Sequence, residues 1–219
     1  MNSKLAKWIR WLDVIKEEIQ LLVISKHLFW SVQDMIKKNP RIQIGSDFYN
    51  FLGNWYVAYS VMGVRRQVKV DSQSISFARL LTDISENPEL LSRAYYTSLY
   101  AGSTAEPWAD RDFDRLVGVG EPHIRASTVR DELSSLRDTA RSCEELADRR
   151  IAHRDKRPMK KLPKFHELDQ CIDFLDSLYC RYLLAFHAQA MDTLMPTYQY
   201  DWQEIFRVPW IPADEESEI

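Results

Sequence analysis

The stretch that decides the fold is residues 5–30, LAKWIRWLDVIKEEIQLLVISKHLFW. Apolar side chains recur here, and on to residue 36, in steps of three and four, the period of one helix face: Leu5, Trp8, Ile9, Leu12, Ile15, Ile19, Leu22, Val23, Phe29, Trp30 and Ile36. We therefore predict one amphipathic helix from Leu5 to Lys37 that ends before Asn39 and Pro40. At about 1.5 Å per residue, it would be roughly 50 Å long.

This helix carries a large aromatic stripe, formed by Trp8, Trp11 and Trp30. A helix of that length exceeds what one small bundle needs. The stripe therefore has two interpretations: it is the core of the bundle, or part of it is exposed and binds a partner. We favour the core.

Further helical patterns follow, and no strand period or internal repeat is present. A cap at Ser46 or Asp47 begins a second helix, whose apolar face carries Phe48, Phe51, Leu52, Trp55, Tyr59 and Met62. The later predicted helices are Ile75–Ile84, Pro88–Tyr100 capped by Asn87, one from Ser127 or Thr128 into residues 148–155, His166–Leu194, and a short one at Trp202–Phe206. The pattern predicts an all-α, four-helix up-and-down bundle with extra short helices.

The domain boundaries follow from the same pattern. Residues 102–122 are rich in Gly and Pro, which predicts an irregular insertion with one short helical piece around Phe113–Val117. We predict a single domain over residues 1–212, followed by a disordered acidic tail at 213–219.

Composition narrows the class of protein. The 219 residues are 45% hydrophobic and 28% charged, as in a soluble globular chain, and the net charge of −3 excludes a polyanion binder by bulk charge. The three cysteines, Cys143, Cys171 and Cys180, lack a CxxC spacing and are interpreted as reduced packing thiols. The chain has no apolar leader and no long apolar run, so we expect a cytoplasmic protein without a membrane segment. The histidines lack metal-ligand spacing, so we expect no metal and no cofactor.

The candidate catalytic side chains lie together in residues 148–155, DRRIAHRD. Arg149 and His153 are four residues apart and would share a face of an α-helix, with Arg150 on the adjacent stripe. A histidine that exchanges a proton near neutral pH, beside a guanidinium, suits phosphodiester chemistry. Asp148 or Asp155 would orient the imidazole. Cations also end helices for purely structural reasons, and His153 has that interpretation too.

A basic segment, residues 149–164, begins in the same stretch. It carries eight cations against one carboxylate, Asp155: Arg149, Arg150, Arg154, Lys156, Arg157, Lys160, Lys161 and Lys164. A positive segment on a negative protein is a candidate phosphate-binding site, in which Arg154, Lys156, Arg157, Lys160 and Lys161 would contact RNA. The alternative is a solvated loop.

The chain resembles the HEPN superfamily, and within it the AbiU-type abortive-infection branch. The resemblance rests on four short motifs that together span most of the chain: residues 63–67 (GVRRQ), 75–84 (ISFARLLTDI), 149–155 (RRIAHRD) and 200–202 (YDW). It implies a homodimeric HEPN-like bundle in phage defence and, in active members, metal-independent RNA cleavage by an Arg and a His at the dimer cleft. An antitoxin or another defence protein would be a further partner.

The family pattern places four to six residues between the Arg and the His. Here three residues separate Arg149 from His153, and two separate Arg150 from it. Three functions therefore stay open. The chain is a ribonuclease, an inactive HEPN domain that binds RNA or a partner protein through the basic segment, or a plain helical scaffold.

Overall fold

A computed structural model of the chain describes residues 2–151, 156 and 163–210. Over these residues the fold is all-α, as predicted, and contains no β-strand. Its α-helices are α1 (Ser3–Lys38), α2 (Asp47–Val68), α3 (Phe77–Glu86), α4 (Arg93–Ser98), α5 (Ala109–Val117), α6 (Ala126–Leu146) and α7 (Phe165–His187). None of these helices is both long and apolar enough to cross a membrane.

The first helix, α1, follows its predicted boundaries closely. The Asn2 side chain caps its first turn by accepting a hydrogen bond from the Lys4 amide at 2.8 Å, and Asn39 ends it before Pro40. Its fully buried positions run in helical steps and stop at residue 22: Leu5, Trp8, Leu12, Ile15, Ile19 and Leu22. The predicted stripe is therefore core at Trp8 and becomes half-exposed at Trp30.

Side-chain contacts give the relative directions of α1 and its two neighbours. Along α1, Leu22 meets Gly63 and Phe29 stacks on Tyr56, so α2 runs antiparallel to it. Trp8 likewise contacts Phe186 and Lys26 binds Asp173, which makes α7 antiparallel to α1 as well.

The remaining long helix, α6, runs antiparallel to α7. Near its start Glu132 accepts a hydrogen bond from Tyr182, and near its end Cys143 contacts Cys171. The four longest helices thus alternate in direction along the chain, and each packs against two or more of the others.

Two buried polar side chains join the helices. Gln67, only 1% exposed, donates a hydrogen bond to Glu18 of α1 at 2.7 Å and accepts one from the Phe77 amide at the start of α3 at 3.1 Å. Asp83 of α3 binds Lys7 of α1 at 2.9 Å. Burial alone would raise the pKa of Asp83, but hydrogen bonds from Lys7 and Trp8 lower it overall.

A smaller apolar cluster lies beside the main core. Tyr96 of α4 packs with Phe113 and Leu116 of α5 and with Ala185 of α7. The predicted helical piece at Phe113–Val117 is confirmed, but α5 is longer than expected and starts at Ala109. Residues 102–122 therefore contain an ordered helix, and it contributes buried side chains to the fold.

The predicted helix Pro88–Tyr100 was wrong, because it is two elements. A short 3-10 turn at Pro88–Leu90 precedes α4, and the Asn87 side chain makes no cap hydrogen bond to this turn. Between the two, the Leu91 carbonyl accepts a hydrogen bond from the Ile124 amide and Arg93 donates one to the Pro122 carbonyl. These long-range backbone bonds hold residues 91–92 out of a helix.

Three further boundaries differ from prediction. α6 begins at Ala126 with Arg125 as its cap, so Ser127 and Thr128 lie inside its first turn. α7 ends at His187, seven residues early, because Ala188 adopts a left-handed conformation (φ 51°). The backbone amide of Leu194 then donates to Asp176 of α7 at 2.8 Å. The last predicted helix is reduced to a 3-10 turn at Glu204–Phe206.

The predicted apolar face of α2 is wrong for four of its six residues, while Leu52 is half-buried and Met62 packs against the core. Phe48, Phe51, Trp55 and Tyr59 are exposed. Buried instead is a set with few large apolar side chains: Tyr56, Ser60, Val61, Gly63, Val64, Gln67 and Val68. Small residues are needed here because α2 approaches α1 closely.

We expect Gly63→Ala to lower the free energy of unfolding by about 1 kcal/mol. A methyl group there would lie 2.6 Å from a Leu22 methyl group, and such overpacking costs about 1–3 kcal/mol, more than the roughly 1 kcal/mol that Ala gains in a helix. Gly53→Ala is the matched control: its Cβ would meet only Phe165, at 3.9 Å, so it should stabilise. Urea unfolding compares the two; equal effects of both substitutions would contradict the prediction.

Candidate functional site

The chain changes its helical geometry directly after α6. Residues Ala147–Ile151 form a π-helical turn. At its first residue, the Ala147 amide donates hydrogen bonds to the carbonyls of both Cys143 and Glu144. Such turns close hydrogen bonds five residues apart and are frequent at functional sites. The α-helical spacing from which Arg149 and His153 were expected to share a face therefore does not hold over Ala147–Ile151.

Two of the predicted site residues lie in ion pairs. Asp148 accepts a hydrogen bond from Nε of Arg65 on α2 at 2.5 Å. Arg149, 21% exposed, donates to Glu145 of α6 at 2.6 Å. These contacts fix the π-helical turn to its own helix and to α2. Arg150 is exposed and forms no ion pair among the described residues.

Carboxylates and cations alternate around this turn. Burial raises the pKa of Glu144, and the nearby charge of Asp148 raises it further, while Lys69, Arg65 and Arg137 oppose the shift. Carboxylates of α6 thus partly neutralise the positive charge of the cations near this turn. Any excess positive charge comes from the residues that follow.

Most of the predicted site lies outside the described residues. His153, the predicted acid–base group, lies outside them. So do Asp155 and the predicted RNA contacts Arg154, Arg157, Lys160 and Lys161. Of the predicted RNA contacts, Lys156 is described, and it is exposed. The structure describes Asp148, Arg149 and Arg150 within the π-helical turn, and the two arginines are the first residues of the basic segment.

Two thiols lie just behind the turn. Cys143 of α6 and Cys171 of α7 are buried and free, with their Sγ atoms 3.5 Å apart. The hydrogen bond between them lowers the pKa of Cys143 and raises that of Cys171. The prediction of packing thiols is confirmed in that all three cysteines, Cys180 included, are buried and free.

Sequence reasoning missed an aromatic cluster where α7 begins. The rings of Phe29, Tyr56 and Phe165 are nearly parallel, with Phe29 4.2 Å from Tyr56 and 5.5 Å from Phe165. Asp169 supports the cluster by accepting hydrogen bonds from Tyr56 and Trp30 at 2.5 and 2.9 Å. Burial and this carboxylate raise the pKa of Tyr56 well above its ordinary value. Only the fold brings these residues together.

A second missed feature is an outer apolar strip, which we define as Leu21, Phe48, Phe51, Trp55 and Tyr59. Each of its side chains is roughly half exposed, and Trp55 reaches 57%. A half-exposed aromatic side chain offers about 100 Å². The strip therefore presents on the order of 500 Å², which is the size of patch that marks an interaction site.

Metal ligands do not cluster in the described part of the chain. Across residues 2–151, 156 and 163–210, no three His, Cys, Asp or Glu side chains are placed so that they could hold a metal ion. Comparisons with protein-family models, with curated proteins and with solved structures find no match to this chain.

We expect Asp148→Asn to weaken the contact between α2 and the π-helical turn without abolishing any activity of the site. The pair with Arg65 is partly exposed, so a double-mutant cycle with Arg65→Gln should give a coupling of about 0.2–1 kcal/mol in urea unfolding. Asp131→Asn, on an exposed part of α6, is the control. Loss of RNA cleavage with unchanged stability would instead show that Asp148 orients an imidazole.

Proposed function

We propose that this chain is a HEPN-type protein of the AbiU-like branch that acts on RNA in phage defence, as a metal-independent endoribonuclease. The observation that carries the proposal is the separation of charge. The basic segment holds eight cations and one carboxylate in a protein whose net charge is −3. A local cationic surface of this kind attracts a phosphate backbone although the whole protein is acidic.

The chemistry assigned to the site needs only side chains. His153 would take the proton of a ribose 2′-hydroxyl, whose oxygen attacks the adjacent phosphorus, or give a proton to the leaving 5′-oxygen. The products are a 2′,3′-cyclic phosphate and a 5′-hydroxyl. Arg149 or Arg150 would offset the charge on the non-bridging phosphate oxygens, and Asp155 would orient the imidazole.

The architecture supports the HEPN part of the proposal. Four long helices that alternate in direction are what a four-helix up-and-down bundle requires. A second copy of the chain would dock on the outer apolar strip. Two such strips face to face would bury about 1,000 Å², the lower bound for a specific interface. The dimer would supply two histidines, one as acid and one as base. An antitoxin or another defence protein is the other partner that the proposal includes.

One observation favours the second candidate function, an inactive HEPN domain that binds RNA or a partner protein. Arg149 and Asp148 are already engaged with Glu145 and Arg65, and the interval from Arg149 to His153 is shorter than the family pattern. A guanidinium that holds a protein carboxylate must leave it before it can serve a phosphate. In this alternative, the basic segment binds and no cleavage follows.

We expect the purified protein to cleave a mixed cellular RNA pool in EDTA and to leave 2′,3′-cyclic phosphate ends, and His153→Ala to abolish this cleavage. His123→Ala, which alters a histidine far along the chain from the site, is the control and should cleave normally. Circular dichroism and sedimentation of the same samples report whether each variant is folded and dimeric. If folded wild type cleaves no RNA, the ribonuclease proposal is wrong.

Binding through the basic segment predicts a specific salt dependence. Replacing Lys160 and Lys161 by Gln should weaken RNA binding, and should reduce the slope of log affinity against log salt by about 0.7 per lost phosphate contact. The control removes two exposed cations elsewhere, Arg10→Gln with Arg130→Gln, for the same change in net charge. Equal losses in both double variants would point to net charge alone, and would exclude a site on this segment.

A further inference from the structure

A hollow that no step of the proposed mechanism uses lies between α1, α2 and the start of α7. It has a volume of about 420 Å³, within the range of small-molecule sites. We call it the aromatic hollow and define it by Trp30, Gln33, Asn50, Gly53, Asn54 and Phe165, which line it with Phe29, Tyr49 and Val57. Its walls thus combine aromatic rings with side-chain amides.

The aromatic wall is suited to stack a flat ring. Phe165 and Trp30 are each about 40% exposed, and Phe165 is the most exposed of three nearly parallel rings, inclined at 17° to Phe29 and 11° to Tyr56. A nucleobase that enters the hollow would lie against the exposed ring of Phe165, with the Trp30 ring nearly perpendicular to it at 75°. Stacking of a base on an aromatic side chain is tolerant of sequence because every base has a π-face.

The lining of the hollow also carries three amides: Gln33 on α1, and Asn50 and Asn54 one turn apart on α2. None of them forms a side-chain hydrogen bond within the described part of the chain. An amide offers both a donor and an acceptor, which is what the edge of a nucleobase requires. The hollow therefore provides a stacking surface and hydrogen-bonding groups for one base.

Gly53 keeps the hollow open. It lies in the second turn of α2, between the two asparagines in sequence, and nothing but Phe165 lies within 4 Å of the position of a Cβ. Glycine costs a helix interior about 1 kcal/mol relative to Ala. A larger side chain at this position would occupy the hollow.

The hollow leads toward the basic segment. A smaller cavity of about 190 Å³ shares Val57 and Phe165 with it and reaches Leu146, the last residue of α6. Arg149 and Arg150 follow three and four residues later, and Lys164, at the end of the basic segment, lines this smaller cavity directly. The phosphates of an RNA strand whose base lies in the hollow would thus be close to these cations.

We propose that the aromatic hollow binds one unpaired base of a single-stranded RNA, whose phosphates would meet Lys164 beside the adjoining cavity. This inference rests on the proposed function and adds the substrate class to it. A base can enter the hollow only when it is unstacked, so the site selects single strands, loops and bulges over duplex. The outer apolar strip uses a different face of α2, so a second copy of the chain would leave the hollow open.

The test measures binding by fluorescence anisotropy. The probes are a labelled 2′-fluoro RNA heptamer, which lacks the attacking hydroxyl, and an abasic strand with the same number of phosphates. Wild type should bind the base-bearing strand at least about 5-fold more tightly than the abasic one. Gly53→Leu, which fills the hollow, should bring both strands to the abasic level. Gly53→Ala is the matched control and should behave as wild type.

A second variant and the duplex separate the outcomes. Phe165→Leu, which keeps an apolar side chain but loses the ring, should also lose the preference for bases, and a duplex of the same sequence should bind at the abasic level. If wild type binds both single strands equally and Gly53→Leu changes nothing, the base site is overturned while RNA binding by the basic segment stands. If wild type binds neither strand, the base site and the proposed function fall together.

Discussion

The close approach of α1 to α2 at Gly63 is the constraint on which the rest of the molecule depends. Leu22 packs directly onto the glycine backbone, and any side chain there would push the helices apart. On one side of this contact, Gln67 joins both helices to the start of α3. On the other side, two turns along, Phe29 stacks on Tyr56. The same contact therefore sets the core at one end and the aromatic cluster at the other.

The charges of the candidate site are matched in one part of the chain and unmatched in the next. Within α6 and the π-helical turn, carboxylates and guanidinium groups are matched, as in the pairs of Arg65 with Asp148 and of Arg149 with Glu145. Matched pairs at partly exposed positions add little stability, but they fix orientation. The rest of the basic segment, after this turn, is almost free of carboxylates. We therefore expect the basic segment to attract a polyanion, and the π-helical turn to position the start of that segment.

How far the sequence predicts the fold differs from element to element for physical reasons. α1 was predictable because its apolar period is long and both ends carry local caps. The face of α2 was not, since aromatic residues occupy its exposed side while Gly63 and Gln67 are buried by the approach of α1. α4 and the end of α7 depend on bonds to residues far along the chain, such as Leu194 to Asp176.

The candidate site was predictable only in its charge. The composition of the basic segment is a local property, and the sequence shows it directly. The π-helical turn has no local signal that separates it from the end of an α-helix. The aromatic hollow joins residues 30, 53 and 165, which no spacing rule connects. Its one sequence clue is Gly53, a residue that lowers helix stability at a position where packing does not require it.

Exposed aromatic side chains need an explanation in a chain that buries its core as completely as this one does. The outer apolar strip and the aromatic hollow lie on different faces of α2, and Phe29 borders the cavities on both sides. Because the two surfaces do not overlap, a second copy and an RNA base would not compete for the same residues. A pair of chains joined through the strip would therefore present two hollows, one on each copy, both on faces of α2 that the strip does not use.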